Sequence, residues 1–151
     1  MSVQSVFSSI GFVLIYLCLS SVGCGGAPGT VGSPMMYEEV NVQTRDAEAT
    51  RVLTGSSNLI LVYARGLCCP SCSLGVRKTI SRLSFVNTDA EKKGVILDPK
   101  HQLVYVTLRP NSTVVSSEIW QAVDDAGYDP MTIYRFSDGV LQTEHFKGNE
   151  L

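Results

Sequence analysis

An α+β sandwich with elements in the order β-α-β-β-α-β is the fold class that the sequence predicts for residues 58–136, on three observations. The first is a set of short apolar stretches, NLILVYA at 58–64 and LVYVTL at 103–108, too short for typical helices. The second is a pair of segments with apolar residues near helical spacing: Leu74, Val76, Ile80 and Leu83 in one, Ile119, Trp120 and Val123 in the other. The third is the punctuation at their boundaries by Pro70, Asp98-Pro99-Lys100 and Gly127.

The elements follow in order. Residues 10–19 read IGFVLIYLCL, and a membrane-spanning helix needs roughly 20 apolar residues, so this run suits the apolar region of an export signal. Ser20-Ser21-Val22-Gly23-Cys24 resembles a bacterial lipobox, which implies lipidation of Cys24 after removal of residues 1–23. A plain cleaved signal and an uncleaved anchor are the alternatives. Residues 25–34 are rich in Gly and Pro and cannot bury enough apolar surface to order themselves, so 24–57 reads as a flexible tether. Within it, 44–53 has the composition of a short helix.

The first strand is 58–64. A helix follows from Ser71, with Pro70 in its first turn, where a missing N–H costs nothing. After the polar span 86–93 come a second strand at 94–97 and a third at 103–108. Ser116 or Ser117 is suited to cap a second helix that runs through Ala126 and ends at Gly127. The last strand is 131–136, and the polar tail 137–151 reads as loose. This is the ferredoxin-like arrangement, a four-stranded antiparallel sheet with two helices on one face.

The chain of 151 residues carries 12 Lys+Arg against 14 Asp+Glu, a formal charge of −2. No basic stripe stands out, which argues against a nucleic-acid partner. No Ser/His/Asp set, paired carboxylates or phosphate-binding glycine loop stands out either, so the expectation is a protein that is not an enzyme.

Chemistry is concentrated in the cysteines. Of Cys18, Cys24, Cys68, Cys69 and Cys72, three fall within five residues, which no ordinary disulfide framework requires. Cys69 and Cys72, three apart at a strand-to-helix junction, can aim both sulfurs at one site. The free N–H groups of a helix start favour the thiolate over the thiol. Soft ligands select thiophilic ions. Two sulfurs suit copper(I) or mercury(II), whereas structural zinc normally takes four ligands.

The segment Gly66-Leu67-Cys68-Cys69-Pro70-Ser71-Cys72 resembles the G-M-x-C-x-x-C signature of heavy-metal-associated domains. That family includes copper chaperones, modules of metal-pumping ATPases and periplasmic mercury-binding proteins. Ala126-Gly127-Tyr128-Asp129 is similar to the A-G-Y segment before its last strand, and the resemblance covers residues 58–136. It implies that Cys69 and Cys72 bind the metal and that Tyr128 lies close by, shielding the site without ligating. Leu67 stands in place of Met, an apolar exchange that keeps a plug beneath the loop. The span 86–93 is longer than the family's connection, which leaves the edge of the second strand open.

Cys68 occupies a position where the family has Ser or Thr. It either faces away from the metal, as adjacent side chains of extended backbone do, or supplies a third sulfur, which favours trigonal copper(I) or zinc. A C-x-x-C pair in an exported protein also suits thiol–disulfide exchange, the alternative function. His101 and His145 read as solvated loop residues, Asp124 and Asp125 as a solvated helix face, and Trp120 as core. The expectation is an exported, lipid-anchored protein of the cell envelope. It carries copper(I), or else zinc or mercury, for buffering, trafficking or detoxification, and its partners are a metal-transporting membrane protein or another metallochaperone.

Overall fold

A computed structural model describes residues 38–68 and 74–147. The chain forms helix α1 (Val42–Leu53), strand β1 (Leu59–Arg65), helix α2 (Leu74–Ile80), strands β2 (Val95–Asp98) and β3 (Leu103–Thr107), helix α3 (Ser116–Asp124), and strands β4 (Asp129–Ser137) and β5 (Val140–His145). The five strands form one antiparallel sheet in the order β2-β3-β1-β4-β5. The α+β class therefore matches the expectation, but the sheet has five strands rather than four, and α1 precedes and β5 follows the expected elements.

The central strand explains why residues 58–64 are continuously apolar rather than alternating. Successive side chains of a strand point to opposite faces, and β1 is covered on both. Ile60, Val62 and Ala64 join Val76 and Ile80 of α2 and Ile119 and Val123 of α3 in one core. Leu61 and Tyr63 join Ala49 and Leu53 of α1, with Leu103 and Tyr134, in a second. Two helices on one face are thus joined by a third helix on the other.

Helix α1 contains the short helix expected over 44–53 and corrects the tether expected over 24–57 for these residues, which pack on the sheet. Its N-terminus is capped by Asn41, whose side chain accepts a 2.8 Å hydrogen bond from the Gln43 N–H. Arg45, Ala49 and Leu53 recur every four residues and form its buried face. The first of these is a cation, which hides the amphipathic pattern. The Arg45 guanidinium lies over the Tyr63 ring, 3.6 Å from its centroid, and donates to the Val40 carbonyl. Tyr63 Oη in turn donates to Glu39 at 2.7 Å, so the chain entering α1 is stitched to the sheet.

Strand β5 corrects the loose tail. Asp138 and Gly139, with φ of 54° and 76°, link Ser137 to its partner Val140 in a two-residue hairpin. The β5 strand then pairs with β4 as far as His145 opposite Thr132. The second strand, left open by the long preceding span, is well defined: Val95 to Asp98 pair in register with Val106 to Leu103. The expected cap of α3 is also corrected. Its N-cap is Val115, without a side-chain cap. Ser116 Oγ instead donates to Glu144 at 2.7 Å and accepts from Arg135 at 3.0 Å. Ile119 and Val123 are buried as expected, whereas Trp120 is half-buried beside Phe146, ring centroids 5.4 Å apart. Leu74 is exposed rather than inward-facing. Among the described residues, no helix is long and apolar enough to cross a membrane.

Candidate metal-binding loop

The loop of interest leaves the C-terminal end of β1. There the β1–β4 register shifts between Tyr63 and Ala64, and Arg65 comes opposite Asp129. Arg65 Nε and Nη2 donate to Asp129 Oδ2 at 3.0 and 2.7 Å. Both side chains are largely exposed, so the pair orients the strand ends more than it stabilises them. Gly66, at φ +89°, then turns the chain out of the sheet in a conformation that other residues rarely adopt. Leu67 folds back under the turn and is completely buried in the core beneath α2 and α3.

Cys68 follows, a free and half-buried thiol. Arg65, Gly66, Cys68, Ala126, Gly127, Tyr128 and Asp129 line one open hollow of about 340 Å³. Two segments about 60 residues apart meet there because β1 and β4 are sheet neighbours. Their approach is close: a Cβ on Gly66 would stand 3.8 Å from Tyr128 Cδ1. Gly127, at φ +82°, makes the reversal from α3 into β4 that presents Tyr128 to the hollow. Burial raises the Tyr128 phenol pKa, and the neighbouring Cys68 charge raises it further. The phenol is therefore neutral at physiological pH, able to donate a hydrogen bond but poor as a ligand.

Of the residues singled out from sequence, Gly66, Cys68 and Tyr128 are thus brought together around one hollow, and Leu67 is buried in the core. Cys69 and Cys72, the expected ligand pair, lie outside the described residues, as do Cys18 and Cys24, the expected lipid attachment point.

The Arg65–Asp129 pair was not singled out from sequence, since neither residue has a local partner. His145 is solvent-exposed as expected but belongs to a strand, and His101 is less solvated than expected. His145 lies in β5, with Nδ1 3.1 Å from Thr132 Oγ1. His101 is half-buried beside Asp98, and Glu48 of α1 joins them. The Asp98-Pro99-Lys100-His101 turn was visible in the sequence, but the approach of Glu48 depends on how α1 packs. The chain matches no family model, no curated protein and no solved structure.

Proposed function

We propose that this protein is a carrier of a thiophilic metal ion, copper(I) before zinc or mercury(II), with Cys69 and Cys72 as the ligands of its cargo. One observation carries the reading. Gly66 and Cys68, which precede the cysteine pair, line the same hollow as Gly127 and Tyr128, and these are the two segments on which the resemblance to heavy-metal-associated domains rests. We also read the unit as ferredoxin-like, because β1-α2-β2-β3-α3-β4 with strands ordered β2-β3-β1-β4 is the split βαβ plan. Helix α1 and strand β5 are additions to it.

The chemistry follows from the setting. The open hollow beside Cys68 leaves room for an incoming ligand, and two sulfurs alone leave a thiophilic ion under-coordinated. A partner's thiolate attacks the ion before the first bonds break, and the cargo passes by exchange rather than by free release. Tyr128, neutral and beside the loop, limits water access without competing for the ion. Cys68 lines the hollow and is the candidate third sulfur. In this reading the 1–23 signal exports the protein, lipidated Cys24 holds it at the envelope, and a metal-transporting membrane protein or another metallochaperone receives the ion.

The test is a titration of the reduced full chain with copper(I) against a competing chelator. Cys69→Ser and Cys72→Ser are each expected to lower affinity by orders of magnitude. Affinity unchanged in both overturns the reading, and turnover in a disulfide-reductase assay points to thiol–disulfide exchange instead. Cys68→Ser with unaltered affinity and spectrum removes Cys68 from the ligand set.

A further inference from the structure

On the face of the sheet covered by α1, three side chains from separate elements converge. Glu48 comes from α1, Asp98 from the end of β2 and His101 from the turn into β3. One ligand atom of each lies within 4.8 Å of the others. Their side chains are 13%, 20% and 15% exposed, sheltered yet open to an ion from solvent.

The cluster is short of protons. Tyr105 Oη stands 2.9 Å from Asp98 Oδ2 and 3.2 Å from Glu48 Oε1, and its single hydrogen serves one of them. His101 Nδ1 lies 2.6 Å from the same Asp98 oxygen. Two carboxylates that share one phenolic hydrogen leave a negative potential among the three side chains. Arg51 offsets part of that potential by gripping Glu48 from the solvent side, with 69% of its own side chain exposed.

We propose that Glu48, Asp98 and His101 form a second metal site, which takes a borderline divalent cation such as Zn²⁺ or Cu²⁺. One imidazole nitrogen and two carboxylate oxygens suit these ions and disfavour the copper(I) expected at the thiols. On capture the ion occupies the space among the three donors. His101 binds through Nδ1 and carries its one ring hydrogen on Nε2, a change of tautomer in which no proton has to leave the protein. Arg51 turns outward as its carboxylate is neutralised. The site depends on no cysteine, so it stands or falls apart from the thiol loop.

The experiment uses the full chain with all five cysteines changed to Ser, titrated with Zn²⁺ and with Co²⁺ as a spectroscopic probe. The expected result is one ion per chain, with weak visible bands and no sulfur-to-metal charge-transfer band. His101→Gln lowers the affinity at least about tenfold, Arg51→Gln raises it, and His145→Gln leaves it unchanged. No binding, or equal binding in His101→Gln, overturns the site. Should a variant fail to fold, histidine nitrogen resonances of the unsubstituted chain decide. Zn²⁺ added beyond the thiol equivalents must move His101 Nδ1, and an unmoved His101 overturns the site.

Discussion

Gly94 enters β2 at φ +74°, after Lys92 and Lys93 at 51° and 59°, three left-handed residues in succession. A Cβ at Gly94 would lie 2.3 Å from the Asn87 carbonyl oxygen, 3.0 Å from its carbon and 3.1 Å from Val86 Cγ1. The obstruction is backbone that has little freedom to move. The Asn87 carbonyl accepts from the Ala90 N–H, and the Asn87 N–H donates to Thr107. In Gly94→Ala the left-handed conformation costs about 1–2 kcal/mol, and relief of the overlap in a packed site costs about 1–3 kcal/mol. The sum is roughly 2–5 kcal/mol, a fall in Tm of roughly 10–30 °C for a unit of this size. Gly139→Ala is the control, since φ there is +76° with nothing within 4 Å; it bears the backbone cost alone. Denaturant unfolding of both variants separates the two contributions. A loss below about 1 kcal/mol in Gly94→Ala, or equal losses in the two, refutes the reasoning.

Leu53→Ala empties a completely buried position in the core under α1 and is expected to cost about 2–5 kcal/mol. A near-zero loss in denaturant unfolding shows that α1 does not cover the sheet. Arg51, bonded to Glu48, holds that carboxyl below its usual 4.5, and Arg135 with Ser116 does the same for Glu144. A lowered folded pKa adds stability that is complete above about pH 4.5 and is lost as pH falls through the folded value. Glu48→Gln should flatten the acid limb of the stability–pH curve, and an unchanged limb rules out the linkage. Burial, reinforced by Glu39 and Asp98 respectively, raises the phenols of Tyr63 and Tyr105 above their usual 10.0. Their contribution is intact below pH 10 and declines above it as the unfolded chain ionises. Phenolate absorbance from these two is therefore expected to rise only with alkaline unfolding, and native-state titration near pH 10 contradicts it.

How much of this was legible in the sequence depended on where the stabilising contact lay. The apolar runs of β1 and β3 announced themselves because each residue's own burial drives strand formation there. Helix α1 was legible as a short helix over 44–53, but its packing on the sheet was not, because its first inward residue is Arg45, whose charge is accommodated by the Tyr63 ring and the Val40 carbonyl. Strand β5 has few buried side chains, since an edge strand is held largely by its ladder to β4. Asp138-Gly139 was the local signal that could have found it, an Asp-Gly pair suited to a two-residue hairpin turn. Ser116 looked like a cap, but Arg135 and Glu144 engage its hydroxyl instead.

The sequence by itself determined the order of elements from β1 to β4, the position of the cysteine loop between a strand and a helix, and the turns marked by Pro99 and Gly127. These follow from local propensities and from the periodicity of burial. Only the tertiary structure decided that the sheet is covered on both faces, that a fifth strand closes beside β4, and that Tyr128 shares a hollow with Gly66 and Cys68. It also decided that Glu48 meets Asp98 and His101. Each of these depends on residues far apart in the chain, whose meeting is set by strand order and helix packing rather than by any local pattern.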